Sequence, residues 1–119
     1  MFKVNTNFNI LNKVKRLNSY LDRLIVNFPK KETVLRNRLE NSMFLLIELL
    51  FSYEIQDVYR IKEKYLKEIL IHLSMVNYYV ILCYERKYIS KRQSDVVGRF
   101  LVEIRKMIYG VIRNENAKV

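Results

Sequence analysis

The chain has 119 residues, half of them hydrophobic, and its 22 Lys and Arg against 12 Asp and Glu give a formal net charge of +10. That size fits a single domain over residues 1–119 with a core of its own. One proline and two glycines leave few places to turn, which argues against a fold of many short strands, and the lone Cys83 excludes an intrachain disulfide.

Helix 1 is expected over about residues 8–27. Ile10, Val14, Leu17, Leu21, Leu24 and Phe28 alternate by three and four, which is one face of a helix. Thr6 or Asn7 can cap its first turn. Pro29 ends it, because the residue before a proline is driven out of the helical region. A proline also suits the first turn of a following helix, where its missing N–H costs nothing.

Helix 2 is expected over about 31–54, with a main stripe of Leu35, Leu39, Met43, Leu46, Leu50 and Tyr53. Beside it runs a second stripe, Phe44, Ile47, Phe51 and Ile55. Together they cover more of the circumference than a surface helix needs. Two readings are open: a helix central to the bundle, or an oligomer interface on the second stripe. Glu48 falls on the apolar side, where a buried carboxylate needs a partner.

Helix 3 is expected over about 58–86 with Asp57 as its cap. Val58, Ile61, Tyr65, Ile69, Val76, Val80 and Cys83 make its core seam, flanked by Leu66, Leu70, Leu73, Asn77 and Ile81. Helix 4 has the clearest start: Ser90-Lys91-Arg92-Gln93 matches a capping box. It is expected over about 91–113 with Val97, Phe100 or Leu101, Ile104, Ile108, Val111 and Ile112 inward, and with the tail from Asn114 frayed. Four long helices on short connections predict an all-α, up-down-up-down antiparallel four-helix bundle.

No catalytic set emerges, so the chain is read as a non-enzyme without metal or cofactor. His72 is the only histidine and sits near the helix 3 seam, where it reads as a packed or partly exposed residue rather than a catalytic base. Zinc spacing, the Glu-x-x-His pattern of di-metal bundles and phosphate-loop motifs are all missing from the sequence. Cys83 reads as a small buried hydrophobe. No run reaches the roughly 18 apolar residues of a membrane span, and MFKVNTNFNI lacks the apolar core of a signal peptide. The expected location is therefore the cytoplasm, without a membrane partner.

The constellation that stands out is basic. Arg92, Arg99, Lys106 and Arg113 recur every seven residues on helix 4. Helix 1 carries Lys13, Arg16 and Arg23 around Tyr20, and helix 3 carries Arg60, Lys64 and Lys67. A single ridge of this kind reads as a solvated face; three without matching acids point to a polyanion, with nucleic acid first.

Two stretches add a family resemblance. FPKKETVLRNRLENSMFLLIEL has an aromatic-Pro-Lys turn, an acid and then a leucine: Phe28, Pro29, Lys30, Glu32 and Leu35. YISKRQSDVVGRFLVEIRKMIYGVIR has a serine-capped start leading to Met107 and Gly110. On these residues the chain resembles the small four-helix bundles that include the accessory variability determinant (Avd) proteins of diversity-generating retroelements and the ribosomal-RNA intervening-sequence proteins. Where the latter end their second helix in an Asn-Ile-Ala-Glu-Gly type segment, this chain has LLFSYEIQD, which favours the Avd side.

The resemblance implies a homopentamer with a basic exterior that binds a reverse transcriptase and its template RNA, with DNA as a further ligand, during error-prone cDNA synthesis (mutagenic retrohoming). It implies no activity of the protein's own. The alternative is an intervening-sequence-type bundle, a class without a clear role. Lys30 and Lys31 either meet RNA or polymerase or form a solvated turn.

Overall fold

A computed structural model describes the backbone of residues 6–117 and the side chains of residues 9–117. Its elements are α1 (Thr6–Ile25), α2 (Thr33–Glu54), α3 (Tyr59–Glu85) and α4 (Lys91–Ala117). The connections hold seven, four and five residues, too short to do anything but reverse the chain, so the helices alternate in direction as an antiparallel bundle. α1 packs on α2 and α4, and α3 packs on the same two, so α1 and α3 lie diagonally opposite. The rod measures 48 × 24 × 22 Å. Both the α1–α2 and α3–α4 turns lie at one end of it.

The core follows the expected stripes on three helices. Ile10, Val14, Leu17, Leu21, Leu24 and Phe28 are buried, as are Leu35, Leu39, Leu46, Leu50 and Tyr53, while Met43 of the α2 stripe is half-buried. On α4 the buried residues are Val97, Leu101, Ile104, Ile108 and Val111, while Phe100 and Ile112 are half-buried.

On α3 the seam differs from the expected one. Its buried residues are Leu66, Ile69, Leu73, Val76, Val80 and Cys83, an unbroken alternation of three and four. Val58 and Ile61 are exposed, Tyr65 is half-buried, and Leu66 and Leu73 are central rather than flanking. The expected seam jumped from Ile69 to Val76 and so slid around the helix by one position at its start.

Helix ends show the local chemistry at work. At α4 the Gln93 N–H donates to Ser90 Oγ (3.1 Å) and the Ser90 N–H to Gln93 Oε1 (2.8 Å), the capping box in full. The Asp57 cap is not formed: Val58 holds the cap position of α3 and offers no side-chain bond. Pro29 does not enter α2. It sits in the turn, its carbonyl accepting from the Glu32 N–H at 2.9 Å, and Glu32 caps the helix three residues later. α1 ends at Ile25 rather than 27, and Thr6 and Asn7, the expected caps, are already helical; their side chains lie outside the described residues.

α3 ends in a Schellman motif. The Tyr88 N–H donates to the Cys83 carbonyl and the Lys87 N–H to that of Tyr84, both at 2.9 Å, with Lys87 in the left-handed region at φ 64°. The expected frayed tail is also corrected. α4 continues to Ala117, where Tyr59 Oη donates to Asn116 Oδ1 at 3.2 Å and ties the last turn to the start of α3.

α3 is long and apolar enough to cross a membrane by length and composition, with a mean hydropathy of 1.3 over its best 18-residue window. The window tolerates isolated charges, which a count of unbroken apolar residues does not. In the bundle one third of that window is buried.

Candidate nucleic-acid interface

Arg92, Arg99, Lys106 and Arg113 are all exposed on α4. Seven residues of helix advance about 10.5 Å, so the ridge sets one cation at each such step and winds slowly around the helix, by about 20° per heptad. None of the four is in an ion pair among the described residues.

Because α1 packs on α4, the helix 1 cations come next to this ridge. Lys13 Nζ reaches Glu103 on α4 at 2.6 Å. The Glu103 carboxyl is held below its ordinary range, first by that Lys13 contact and further by Lys106 and Arg99. One carboxylate therefore sits within reach of three cations. Arg16 and Arg23 are exposed, and the Arg23 guanidinium lies 5.5 Å from the centre of the Tyr20 ring. Tyr20 in turn meets Phe100 of α4 at 6.3 Å between ring centres. Phe100 lines a shallow open groove with Lys15, Arg16, Ser19 and Arg23.

The α3 cations and the turn lysines lie elsewhere on the bundle. Arg60, Lys64 and Lys67 are exposed on α3, which lies diagonally opposite α1, and Lys67 is 3.6 Å from Glu63. Lys30 and Lys31 are exposed in the α1–α2 turn at the end of the rod.

A second surface is apolar. Phe44, Phe51 and Ile55 are 77%, 56% and 76% exposed on α2, with Ile47 half-buried among them. With Lys15, Asn18 and Ser19 they line a groove between α1 and α2. Glu48 belongs to this surface and is exposed in the single chain. In the groove Asn18 Nδ2 donates to the Met43 carbonyl at 3.0 Å, while its buried Oδ1 has no partner among the described residues.

Comparison with known proteins finds no matching family model and no significantly similar curated protein or solved structure.

His72 is half-buried on α3. Cys83 is buried, and burial pushes its thiol up to about 11, which leaves little thiolate at neutral pH. Among the described residues no group of three His, Cys, Asp or Glu is placed to hold a metal ion.

Sequence reading missed one polar cluster. The Glu32 carboxylate accepts from Arg86 Nη1 at 2.7 Å and from Tyr88 Oη at 2.9 Å, as well as from the Leu35 N–H at 3.4 Å. Arg36 Nη2 donates to the Phe28 carbonyl at 3.2 Å, and the Phe28 and Tyr88 rings meet at 5.5 Å. This cluster clamps the α1–α2 turn to the α3–α4 turn. The partners lie more than fifty residues apart in sequence, so only the capping half of the role was available from local pattern.

The clamp carries a pH signature. The Glu32 pKa is lowered, first by the Tyr88 hydroxyl, then by the Leu35 N–H and Arg86, against an opposing desolvation cost. A carboxyl bound more tightly as the anion stabilises the fold above its unfolded pKa, about 4.3, and that contribution fades as pH falls through the lower folded value. Glu32→Gln is expected to lower the melting temperature by several degrees at pH 7 and to flatten the acid side of the stability profile. Thermal melts from pH 7 to pH 3 check this.

Proposed function

We propose that this protein is a non-catalytic, oligomeric accessory protein that gathers RNA and a reverse transcriptase by charge, as an Avd-type protein of a diversity-generating retroelement. The observation that carries the reading is the unpaired α4 ridge of Arg92, Arg99, Lys106 and Arg113, joined to Arg16 and Arg23 across the α1–α4 seam. Cations spaced along one rod face attract a phosphate chain through counterion release, and arginine can add bidentate contacts to phosphate.

The exposed Phe44–Ile55 stripe supports the oligomeric part. A contiguous apolar face on a small basic domain is a site for another protein surface, and the homopentamer implied by the Avd resemblance supplies one from copies of the same chain. The placement of Lys30 and Lys31 at the rod end leaves them free to meet RNA or polymerase.

The test is cDNA synthesis on a structured RNA template by a reverse transcriptase encoded beside this gene, with and without the purified protein. Stimulation accompanied by co-purification of protein, polymerase and RNA supports the proposal. A genome with no such polymerase beside the gene favours the intervening-sequence alternative, which shares the bundle but not the partner.

A further inference from the structure

The α1–α4 seam combines cations with aromatic rings from two helices. At the seam Tyr20 and Phe100 are half-buried rings whose centres lie 6.3 Å apart at a tilt of 41°, with Arg16 and Arg23 of α1 lining the groove at Phe100 and Lys13 Nζ 6.0 Å from that ring's centre. The groove over Phe100 is open to solvent. The Arg23 guanidinium already lies 5.5 Å from the centre of the Tyr20 ring, so a cation–ring contact is present that a planar base can join or replace.

A double helix cannot use such a platform, since its bases are stacked on one another and only phosphates and groove edges face outward. An unpaired strand can place a base on the rings while its phosphates follow the cations on both sides.

Resting on the nucleic-acid reading above, we infer that the α1–α4 seam is a base-stacking site selective for single strands over duplexes, with Tyr20 and Phe100 as the platform. The acidic residues of this face do not cancel it. Glu103 is occupied by Lys13, and Asp95 lies 3.5 Å from Lys91, leaving Asp22 as the exposed acid on α1.

The test uses a 20-nucleotide oligoadenylate carrying 2-aminopurine, the same strand annealed to its complement, and poly-glutamate as a polyanion without bases. Wild-type protein is expected to quench the 2-aminopurine and to bind the single strand at least tenfold more tightly than the duplex. Phe100→Leu and Tyr20→Leu keep apolar bulk, and melting curves confirm the fold. Each is expected to remove most of the quenching and about tenfold of the single-strand affinity, with the salt dependence unchanged.

Equal binding of strand and duplex, no quenching, or variants that bind like wild type each overturn the stacking site while leaving a phosphate-binding protein in place. Poly-glutamate competing as well as oligoadenylate does so too, because bases would then contribute nothing. Absence of binding to any nucleic acid at 50 mM salt overturns the nucleic-acid reading itself.

Discussion

Replacing Arg92, Arg99, Lys106 and Arg113 together with alanine is expected to weaken single-stranded RNA binding by about 10³–10⁴-fold at 50 mM salt and by only about 10²-fold at 200 mM. The difference between the two conditions is the diagnostic part. Each phosphate neutralised on a single strand contributes about −0.7 to the slope of log affinity against log salt. Four contacts therefore contribute about −2.8, and the variant should lose that much of the slope. The change leaves the chain strongly basic, at +6 after removal of four positive charges from +10. A generic attraction between a basic protein and RNA would thus survive largely intact. All four side chains are exposed and in no ion pair among the described residues, so the melting temperature should hold. Filter binding or fluorescence anisotropy over a salt series measures the slope. A variant whose slope matches wild type would show that the ridge is an ordinary solvated face.

How far these surfaces were legible in the sequence depends on the range of the interactions that build them. The α4 ridge, the Ser90–Gln93 capping box and the stripe from Ile10 to Leu24 are periodic within one helix, and periodicity alone places them. The seam of α3 was harder because apolar residues surround that helix: Ile61, Ile71 and Ile81 are exposed while Leu66 and Leu73 are fully buried. With hydrophobicity nearly uniform around the axis, the inward direction is set by the packing of α2 and α4, which no single-helix pattern encodes. The Val58 start of α3 escaped for a similar reason. Asp57 is the better intrinsic cap, but in the fold Lys62 Nζ donates to the Tyr53 carbonyl at 3.0 Å and packs 4.4 Å from that ring. The turn is thus fixed from the opposite end, by a cation satisfying the last turn of α2. The joining of the helix 1 cations to the α4 ridge, and the Glu32–Arg86–Tyr88 clamp, both depend on which helices are neighbours. Helix order around the bundle decides that, and a chain read residue by residue does not show it.

Phe44→Asp combined with Phe51→Asp is expected to turn an oligomer into a monomer of 14.5 kDa by light scattering. In the single chain these rings are 77% and 56% exposed, so the substitutions remove nothing the bundle core relies on. Their effect should fall on association alone. Burying a phenylalanine against another subunit contributes about 1.5–3 kcal/mol, so losing two weakens each subunit contact by about 10²–10⁴-fold, before the cost of placing two carboxylates in an apolar contact is counted. A wild-type protein already at 14.5 kDa, or a variant with the wild-type mass, would remove the oligomer from the proposal. The same variant probes how the two surfaces cooperate. An oligomer presents several α4 ridges to one RNA, and linked sites raise the effective concentration for the second and later contacts. RNA affinity should therefore fall with the mass even though no cation has been touched, and most steeply for strands long enough to reach more than one subunit. For an oligonucleotide confined to one ridge, monomer and oligomer should bind alike, which separates loss of avidity from damage to the binding face.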